Sequence, residues 1–359
     1  PQAVSCLTHV LQGRTTSVDG PFSPGAHGRR RENTALDRTE FSAYVKDMDV
    51  FSSVFTGVAT LLLIGILGFW LLSRRVLEGN ILAPLAVLSI DIALPCLTFT
   101  GILSGFDPVS QRLWWTLPVW WAGFTVFAFI LARVLSMAAS RRVRREFMAA
   151  SFFQNGIFFP LAILSAKFGT SSQILVTLFL FTLFYPAFFF TVSPLFFGKS
   201  AGRDLRKVIT PVLAATLLGV AVTLLGLRPY IPDFVIYGLK TVGAMTIPLL
   251  MIVLGGNIFV DMRESGKIHA LEIIKFVLVK NVVFPACTLG VLVALRPPYE
   301  IAFILMLESA VPPITAIPII TGREGGDRTI VNQFMVASFI VSLVSIPAAI
   351  TVFSRFFTP

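Results

Sequence analysis

Two short polar stretches interrupt long apolar segments of the chain, and their residue types are those that coordinate small polar ligands. The first is SFFQNGIFFP (residues 151–160), which contains Gln154, Asn155, Gly156 and Pro160. A proline inside a helix removes one backbone hydrogen bond and clashes with the preceding turn, so we expect Pro160 to break or kink this segment. In hydrocarbon, freed backbone groups are tolerated only when they are buried in protein or line a water-filled cavity. The stretch is therefore a candidate ligand site near the middle of a membrane.

The second stretch is ESAVPPITAIP (residues 308–318), which lies near the other end of the chain. Pro312 and Pro313 remove two adjacent amide donors, which predicts a break in the helix. Half-helices that begin after the two breaks would present positive dipole ends, which suit an anionic group. The candidate site residues of this stretch are Glu308, Ser309, Pro312, Pro313 and Thr315.

Asn155 and Gly156 also have a structural interpretation, because amides and glycines commonly serve interhelical hydrogen bonding and close helix packing in membranes. Pro160 follows four residues after Gly156, and this spacing resembles the broken helices that hold substrates in transporters. We therefore favour ligand binding over packing for this pair.

Two carboxylates and a lysine inside apolar segments are candidates for ion or proton coupling: Asp91, Glu308 and Lys280. Placing Asp at the centre of a membrane helix costs about 2.5–3.5 kcal/mol on the insertion scale, so such a residue marks an ion or proton pathway by default. The alternative for the carboxylates is a salt bridge to Lys240, Lys275 or Lys280, or a position close enough to the interface to stay wet. Lys280 could also supply positive charge for an organic anion. We favour the coupling role for Glu308, and for Asp91 the two interpretations stay open.

Composition identifies an integral membrane protein. The chain has 359 residues, of which 55% are hydrophobic and only 13% are charged, whereas soluble domains carry about 25% charged residues. The net charge is +10, and an excess of basic residues in a membrane protein usually reflects its cytoplasmic loops, so nothing here favours nucleic-acid binding. Residues 1–49 are polar and without periodicity, which predicts a disordered arm.

Apolar runs of about 20 residues are long enough to cross the hydrocarbon core as helices. We predict ten spans, at residues 51–73, 81–103, 113–136, 147–168, 172–196, 208–227, 233–257, 270–295, 300–321 and 329–354. Alternate loops place 14 basic residues on one side of the membrane and five on the other. The positive-inside tendency then predicts a multi-pass protein of the plasma (inner) membrane with both termini outside the cytoplasm.

The ten spans divide into two halves of five, residues 50–197 and 208–359, joined by a cytoplasmic loop at 198–207. An odd number of spans per half inverts the second half relative to the first, as an inverted-topology repeat requires. The interrupted fourth and ninth spans then correspond to each other. We expect them to run antiparallel and to cross at their breaks.

Six motifs in order resemble those of the auxin efflux carrier family, which includes PIN-like and bacterial malate-permease-like transporters. They are LPCLTF (94–99), FFQNGIFFPLAIL (152–164), ITPVLAATLLGV (209–220), IPLLMIVLGGNI (247–258), AVPPITAIPIITGREGGD (310–327) and SLVSIPAAI (342–350). The resemblance implies an all-α membrane fold of ten helices in two inverted five-helix repeats, of the bile-acid-symporter or NhaA-like kind. It also implies an elevator motion between a transport and a scaffold subdomain. Glu308 and Asp91 depart from the family pattern, which leaves the substrate and the coupling ion open.

The function expected from these features is secondary active transport of a small organic anion, such as a dicarboxylate or an aromatic carboxylate. A passive channel and a membrane-embedded ligand sensor are the alternatives on the same fold. The chain has no protease or hydrolase motif and no nucleotide-binding loop, so we expect neither an enzyme nor an ATP-driven pump. No metal or cofactor is expected. Coupling to a proton or to sodium, and assembly into a homodimer, stay open.

Overall fold

The computed structural model describes residues 27–109, 111–169, 172–197, 210–264 and 268–358. These ranges are helical or irregular and contain no β-strand. The predicted loop at 198–207 and the first part of the predicted arm, residues 1–26, lie outside them. Residues 27–49 of that arm belong to the helix His27–Ser73.

The described residues form 16 α-helices. In chain order they are α1 (His27–Ser73), α2 (Leu82–Val87), α3 (Leu94–Gly105), α4 (Leu117–Leu135), α5 (Arg144–Phe152), α6 (Phe158–Phe168), α7 (Gln173–Phe181), α8 (Tyr185–Val192), α9 (Pro211–Leu224), α10 (Asp233–Ala244), α11 (Thr246–Glu264), α12 (Ala270–Leu278), α13 (Phe284–Leu295), α14 (Tyr299–Ala310), α15 (Ile317–Arg323) and α16 (Arg328–Ser354).

Six helical stretches are long and apolar enough to cross a membrane. They are Val50–Ser73, Gly79–Gly105, Trp114–Ala138, Asp233–Val260, Ala270–Leu295 and Arg328–Ser354. Each coincides with one of the ten predicted spans. The other four predicted spans consist of shorter helices, because the chain is interrupted between α5 and α6, between α7 and α8, and between α14 and α15, while α9 has only 14 residues.

Two of the long stretches contain a π-helical turn, and each turn precedes a proline. Leu88–Ala93 leads into α3, where Pro95 is the second residue, and Val279–Val283 leads into α13, where Pro285 is the second residue. Proline has no N–H and its ring clashes with the carbonyl four residues earlier, which is Asp91 or Asn281 here. Widening the helix by one residue relieves that clash, and such turns are frequent at functional sites.

Aromatic side chains fill much of the core. Phe147 of α5 packs its ring against Phe276 of α12 and Phe334 of α16, with centroid distances of 5.1 and 5.6 Å. The rings of Phe276 and Phe334 stack on each other at 4.5 Å. All three side chains are completely buried. This contact fixes the first half-helix of the fourth span against the eighth and tenth spans.

Glycines allow the backbones of α1 and α11 to touch. A Cβ atom added to Gly68 would lie 2.7 Å from Ile252 Cα, and one added to Gly255 would lie 2.6 Å from the Gly65 carbonyl carbon. Real Cβ atoms do not approach backbone that closely, so both positions require glycine. Small residues at helix interfaces are a common basis of association in membranes, because they permit close van der Waals packing.

We predict that Gly255→Ala lowers the free energy of unfolding by about 1–3 kcal/mol, because the new methyl group overpacks the α1 contact. Gly238→Ala is the matched control, since nothing lies within 4 Å of its Cβ position in α10, and alanine is favoured over glycine inside helices. Thermal unfolding in detergent gives the unfolding midpoint of each variant. A midpoint for Gly255→Ala equal to or above that of Gly238→Ala would contradict this packing.

Candidate functional site

The interrupted fourth and ninth spans meet at their breaks. Residues 153–157 connect α5 to α6, and residues 311–316 connect α14 to α15. The two breaks pair as an isolated antiparallel β-bridge between Gln154 and Pro313. We call these two segments together the crossover.

Two backbone hydrogen bonds hold the crossover together. The Asn155 N–H donates to the Pro312 carbonyl at 2.8 Å, and the Ile314 N–H donates to the Phe153 carbonyl at 2.8 Å. Each break therefore satisfies polar groups that the other break exposes. Such pairing is what irregular backbone requires at membrane depth, because lipid offers no hydrogen-bond partner.

Pro160 does not cause the first break, which corrects our expectation. It is the third residue of α6 and is fully enclosed by protein. In the first turn of a helix the missing N–H would have had no intrahelical partner anyway, so proline is tolerated there. Pro312 and Pro313, in contrast, lie within the break, as predicted.

Asn155 occupies the centre of the crossover and is 1% exposed. Its side-chain Oδ1 accepts a hydrogen bond from the Phe158 N–H at 3.3 Å, at the start of α6. Its side-chain Nδ2 is buried and has no partner among the described residues. A buried donor without a partner costs about 1–3 kcal/mol, so this amide is a candidate for contact with a ligand.

Gln154 is held by a tyrosine that the sequence did not single out. The Tyr185 hydroxyl, at the start of α8, donates to the Gln154 carbonyl. The Gln154 side chain hydrogen-bonds with the Glu308 carboxylate, while its own Oε1 is buried without a partner. The fifth span therefore supports the crossover, and a tyrosine followed by a proline in the middle of an apolar run was the available signal.

Glu308 lies directly against Gly156. A Cβ atom at Gly156 would lie 3.1 Å from the Glu308 carboxylate carbon, so a larger residue would require the carboxylate to shift. Glu308 is 2% exposed and its Oε1 has no hydrogen-bond partner among the described residues. The neighbouring Ser309 donates its hydroxyl to the Met306 carbonyl at 2.7 Å, within α14.

Lys280 is fully buried and lies close enough to Glu308 for the two charges to interact. Its Nζ donates to the Ser309 carbonyl at 3.4 Å and lies 4.5 Å from the centroid of the Phe284 ring. The side chain does not extend to the membrane surface.

The π-helical turn that carries Lys280 is fastened to α16. The Asn281 amide donates to the Ser338 carbonyl at 3.2 Å and to the Ser345 hydroxyl at 3.1 Å. The Ser338 hydroxyl in turn donates to the Asn281 Oδ1 at 2.8 Å. These bonds fix the direction of the turn and hence the position of the lysine.

A cavity of about 300 Å³ opens beside the crossover. The predicted residues Asp91, Asn155 and Thr315 line it, and Asp91 is exposed there. Glu308 and Lys280 are not among its lining residues. Thr210 also lines the cavity, and the rest of the wall is apolar or aromatic, formed by Ala86, Val87, Ile90, Leu94, Ile157, Phe158, Tyr185, Pro186, Phe189, Pro211, Val212, Ile314 and Ala316.

The predicted site residues thus fall into two groups. Asn155 and Thr315 line the cavity together with Asp91, whereas Glu308 and Lys280 are buried beside the crossover and interact electrostatically. Across the described ranges, no group of three or more His, Cys, Asp or Glu residues could hold a metal ion.

Comparison with known families gives one match. The model of a family described as membrane transport protein matches residues 53–205 and 193–350, which together cover most of the chain. No curated protein matches the sequence.

We predict that Lys280→Met lowers the free energy of unfolding by about 3–5 kcal/mol, because it leaves Glu308 buried without a compensating charge. The double variant Lys280→Met/Glu308→Gln should recover much of this loss. Lys275→Met is the control: Lys275 pairs with Glu272 at 3.0 Å in a partly exposed position, and such pairs contribute at most about 1 kcal/mol. Strictly additive losses for Lys280→Met and Glu308→Gln would show that the two charges are not coupled.

Proposed function

Since the chain belongs to the membrane transport protein family, we propose that it is a secondary active transporter of a small organic anion. Membership confirms the resemblance to the auxin efflux carriers, and the family consists of transporters rather than enzymes. The protein is accordingly a multi-pass membrane protein with a small-molecule substrate.

The observation that carries the proposal is the unpaired Asn155 amide at the cavity wall. Its Nδ2 has no partner among the described residues, while its Oδ1 is used to cap α6. The 11-residue helix α6 begins at the same place and adds the positive end of its dipole. A carboxylate in the cavity would accept from the Asn155 amide and be favoured by the dipole.

The character of the cavity favours one class of organic anion. Aromatic and aliphatic side chains such as Phe158, Phe189 and Leu94 make up most of the wall. The Asp91 carboxylate, which also lines the cavity, would repel a second negative charge on the substrate. An aromatic monocarboxylate therefore fits better than a dicarboxylate, because its ring is buried against apolar surface.

Transport would proceed by alternating access in a ten-span protein made of two inverted five-helix repeats. The antiparallel pairing of the Gln154 and Pro313 breaks is what such a repeat requires of its fourth and ninth spans. An elevator motion would carry the crossover across the bilayer relative to a scaffold that includes α1 and α11. The distribution of basic residues favours a plasma (inner) membrane with both termini outside the cytoplasm.

Coupling would use a proton that binds to Glu308 or Asp91. Glu308 contacts Gly156 and Gln154 on the crossover, so a change in its charge would act on the backbone next to Asn155. Asp91 faces the cavity and can exchange a proton together with substrate.

A ligand sensor on the same fold is the second candidate, because the buried Asn155 amide could bind an anion without moving it. A sensor would bind the anion and be stabilised by it thermally while producing no flux. A passive channel would produce flux that does not saturate and needs no gradient coupling. Flux and thermal stabilisation measured on the same preparation separate these three functions.

We predict that Asn155→Ala lowers saturable flux of an aromatic carboxylate in proteoliposomes by at least about tenfold, because a charge-assisted hydrogen bond is worth about 1.5–3 kcal/mol. Asn80→Ala is the matched control, since Asn80 is exposed and bonds to Glu78 outside the cavity. Equal flux in both variants would remove Asn155 from the site.

We predict that Glu308→Gln or Asp91→Asn abolishes the stimulation of flux by an imposed proton gradient, because the neutral amide cannot carry the proton. Flux driven by the substrate gradient alone should remain measurable in the coupling variant. The measurement compares labelled uptake with and without a pH difference across the proteoliposome membrane. Unchanged pH dependence in both variants would refute proton coupling through these carboxylates.

A further inference from the structure

A second cavity, of about 590 Å³, lies between the end of α1 and the end of α11. None of its lining residues belongs to the crossover or to the cavity beside it. Arg75 and Arg263 contribute two guanidinium groups, one from each side. Leu72, Phe259 and Val260 contribute an apolar wall next to them.

The two guanidinium groups are available for an external anion. Both side chains are exposed, and neither forms an ion pair with a described side chain. The carboxylate that also lines the cavity, Glu78, accepts a hydrogen bond from the Asn80 amide at 3.1 Å. Positive charge therefore predominates in the lining.

The backbone of Arg75 supplies an independent observation. The α1 helix ends with the Val76 N–H donating to the Leu71 carbonyl at 2.9 Å, and Arg75 between them has a left-handed φ of 56°. Helix ends of this kind normally use glycine, which has no side chain to strain. Only one other described non-glycine residue, Arg296, has positive φ. An arginine kept at a strained position points to a role for its side chain.

We propose that Arg75 and Arg263 bind the phosphate of an anionic phospholipid whose acyl chain lies against Leu72 and Phe259. Guanidinium groups match phosphate oxygens with paired hydrogen bonds. The basic loops predict that this end of the spans faces the cytoplasm, where anionic lipids attract basic residues near the surface. An apolar wall beside two cations fits a lipid better than a soluble anion.

The lipid would connect the two helices that already touch through their glycines. Gly68 and Gly255 bring α1 and α11 into backbone contact, and the proposed phosphate would bridge the ends of the same two helices. We therefore expect the bound lipid to stabilise the protein against unfolding, since a ligand that binds only the folded state does so.

The test is thermal unfolding of the purified full chain in detergent, with added phosphatidylglycerol or phosphatidylcholine. Phosphatidylglycerol should raise the unfolding midpoint and phosphatidylcholine should not. The lipid concentration that gives half of the effect should rise by about fivefold in Arg75→Gly and in Arg263→Gln, as expected for loss of one arginine contact each. Arg75→Gly is expected to fold, because glycine suits the left-handed backbone.

Arg74→Gln is the matched control. Arg74 is exposed at the same helix end and shares the favourable interaction with its dipole, but it does not line the cavity. The response of Arg74→Gln to phosphatidylglycerol should equal that of the unaltered protein. An equal response of Arg75→Gly and Arg74→Gln to phosphatidylglycerol would overturn the proposal. It would also be overturned if inorganic phosphate raised the unfolding midpoint as much as phosphatidylglycerol does, because the site would then belong to a soluble anion.

Discussion

Backbone polar groups inside a membrane must be paired within the protein, and the crossover depends on this constraint. Pro312 and Pro313, which follow the end of α14, have no backbone N–H to donate. Residues 153–157, between α5 and α6, are not helical. The freed groups pair with each other through Asn155 and Pro312, and through Ile314 and Phe153. Neither break is satisfied without the other, so the two spans hold each other in place.

Charged side chains buried beside the crossover must likewise be compensated within the protein. Glu308 lies against Gly156, which has no side chain to displace the carboxylate, and Glu308 interacts electrostatically with Lys280, on a turn fixed by Asn281. A buried carboxylate and ammonium are costly unless each compensates the other. Glu308 and Lys280 are therefore enclosed by protein beside the crossover, whereas Asn155, which lines the largely apolar cavity, has a buried amide without a partner among the described residues.

Part of this architecture could be predicted from the sequence. Six long spans follow from length and composition alone, and the consecutive prolines located the break between α14 and α15. The cause of the first break was misassigned, because a proline in an apolar run does not reveal whether it ends one helix or begins the next. Pro160 begins one.

The sequence could not predict which site residues line the cavity and which are enclosed by protein near Glu308. Residues 301–310 of α14 are buried all round, so no polar stripe indicates which face meets a ligand. The positions of Lys280 and Tyr185 depend on contacts between spans that are distant in the chain. Local patterns carry no information about such contacts, and the π-helical turns that orient Asp91 and Lys280 arise from prolines several residues further on.

A structure of the protein in a lipid nanodisc with a saturating aromatic carboxylate is the most direct test of the crossover as a substrate site. The account predicts that the carboxylate lies within hydrogen-bonding distance of Asn155 Nδ2, with the ring against the apolar wall around Phe158 and Phe189. A ligand found elsewhere, with the Asn155 amide still unpaired, would contradict it.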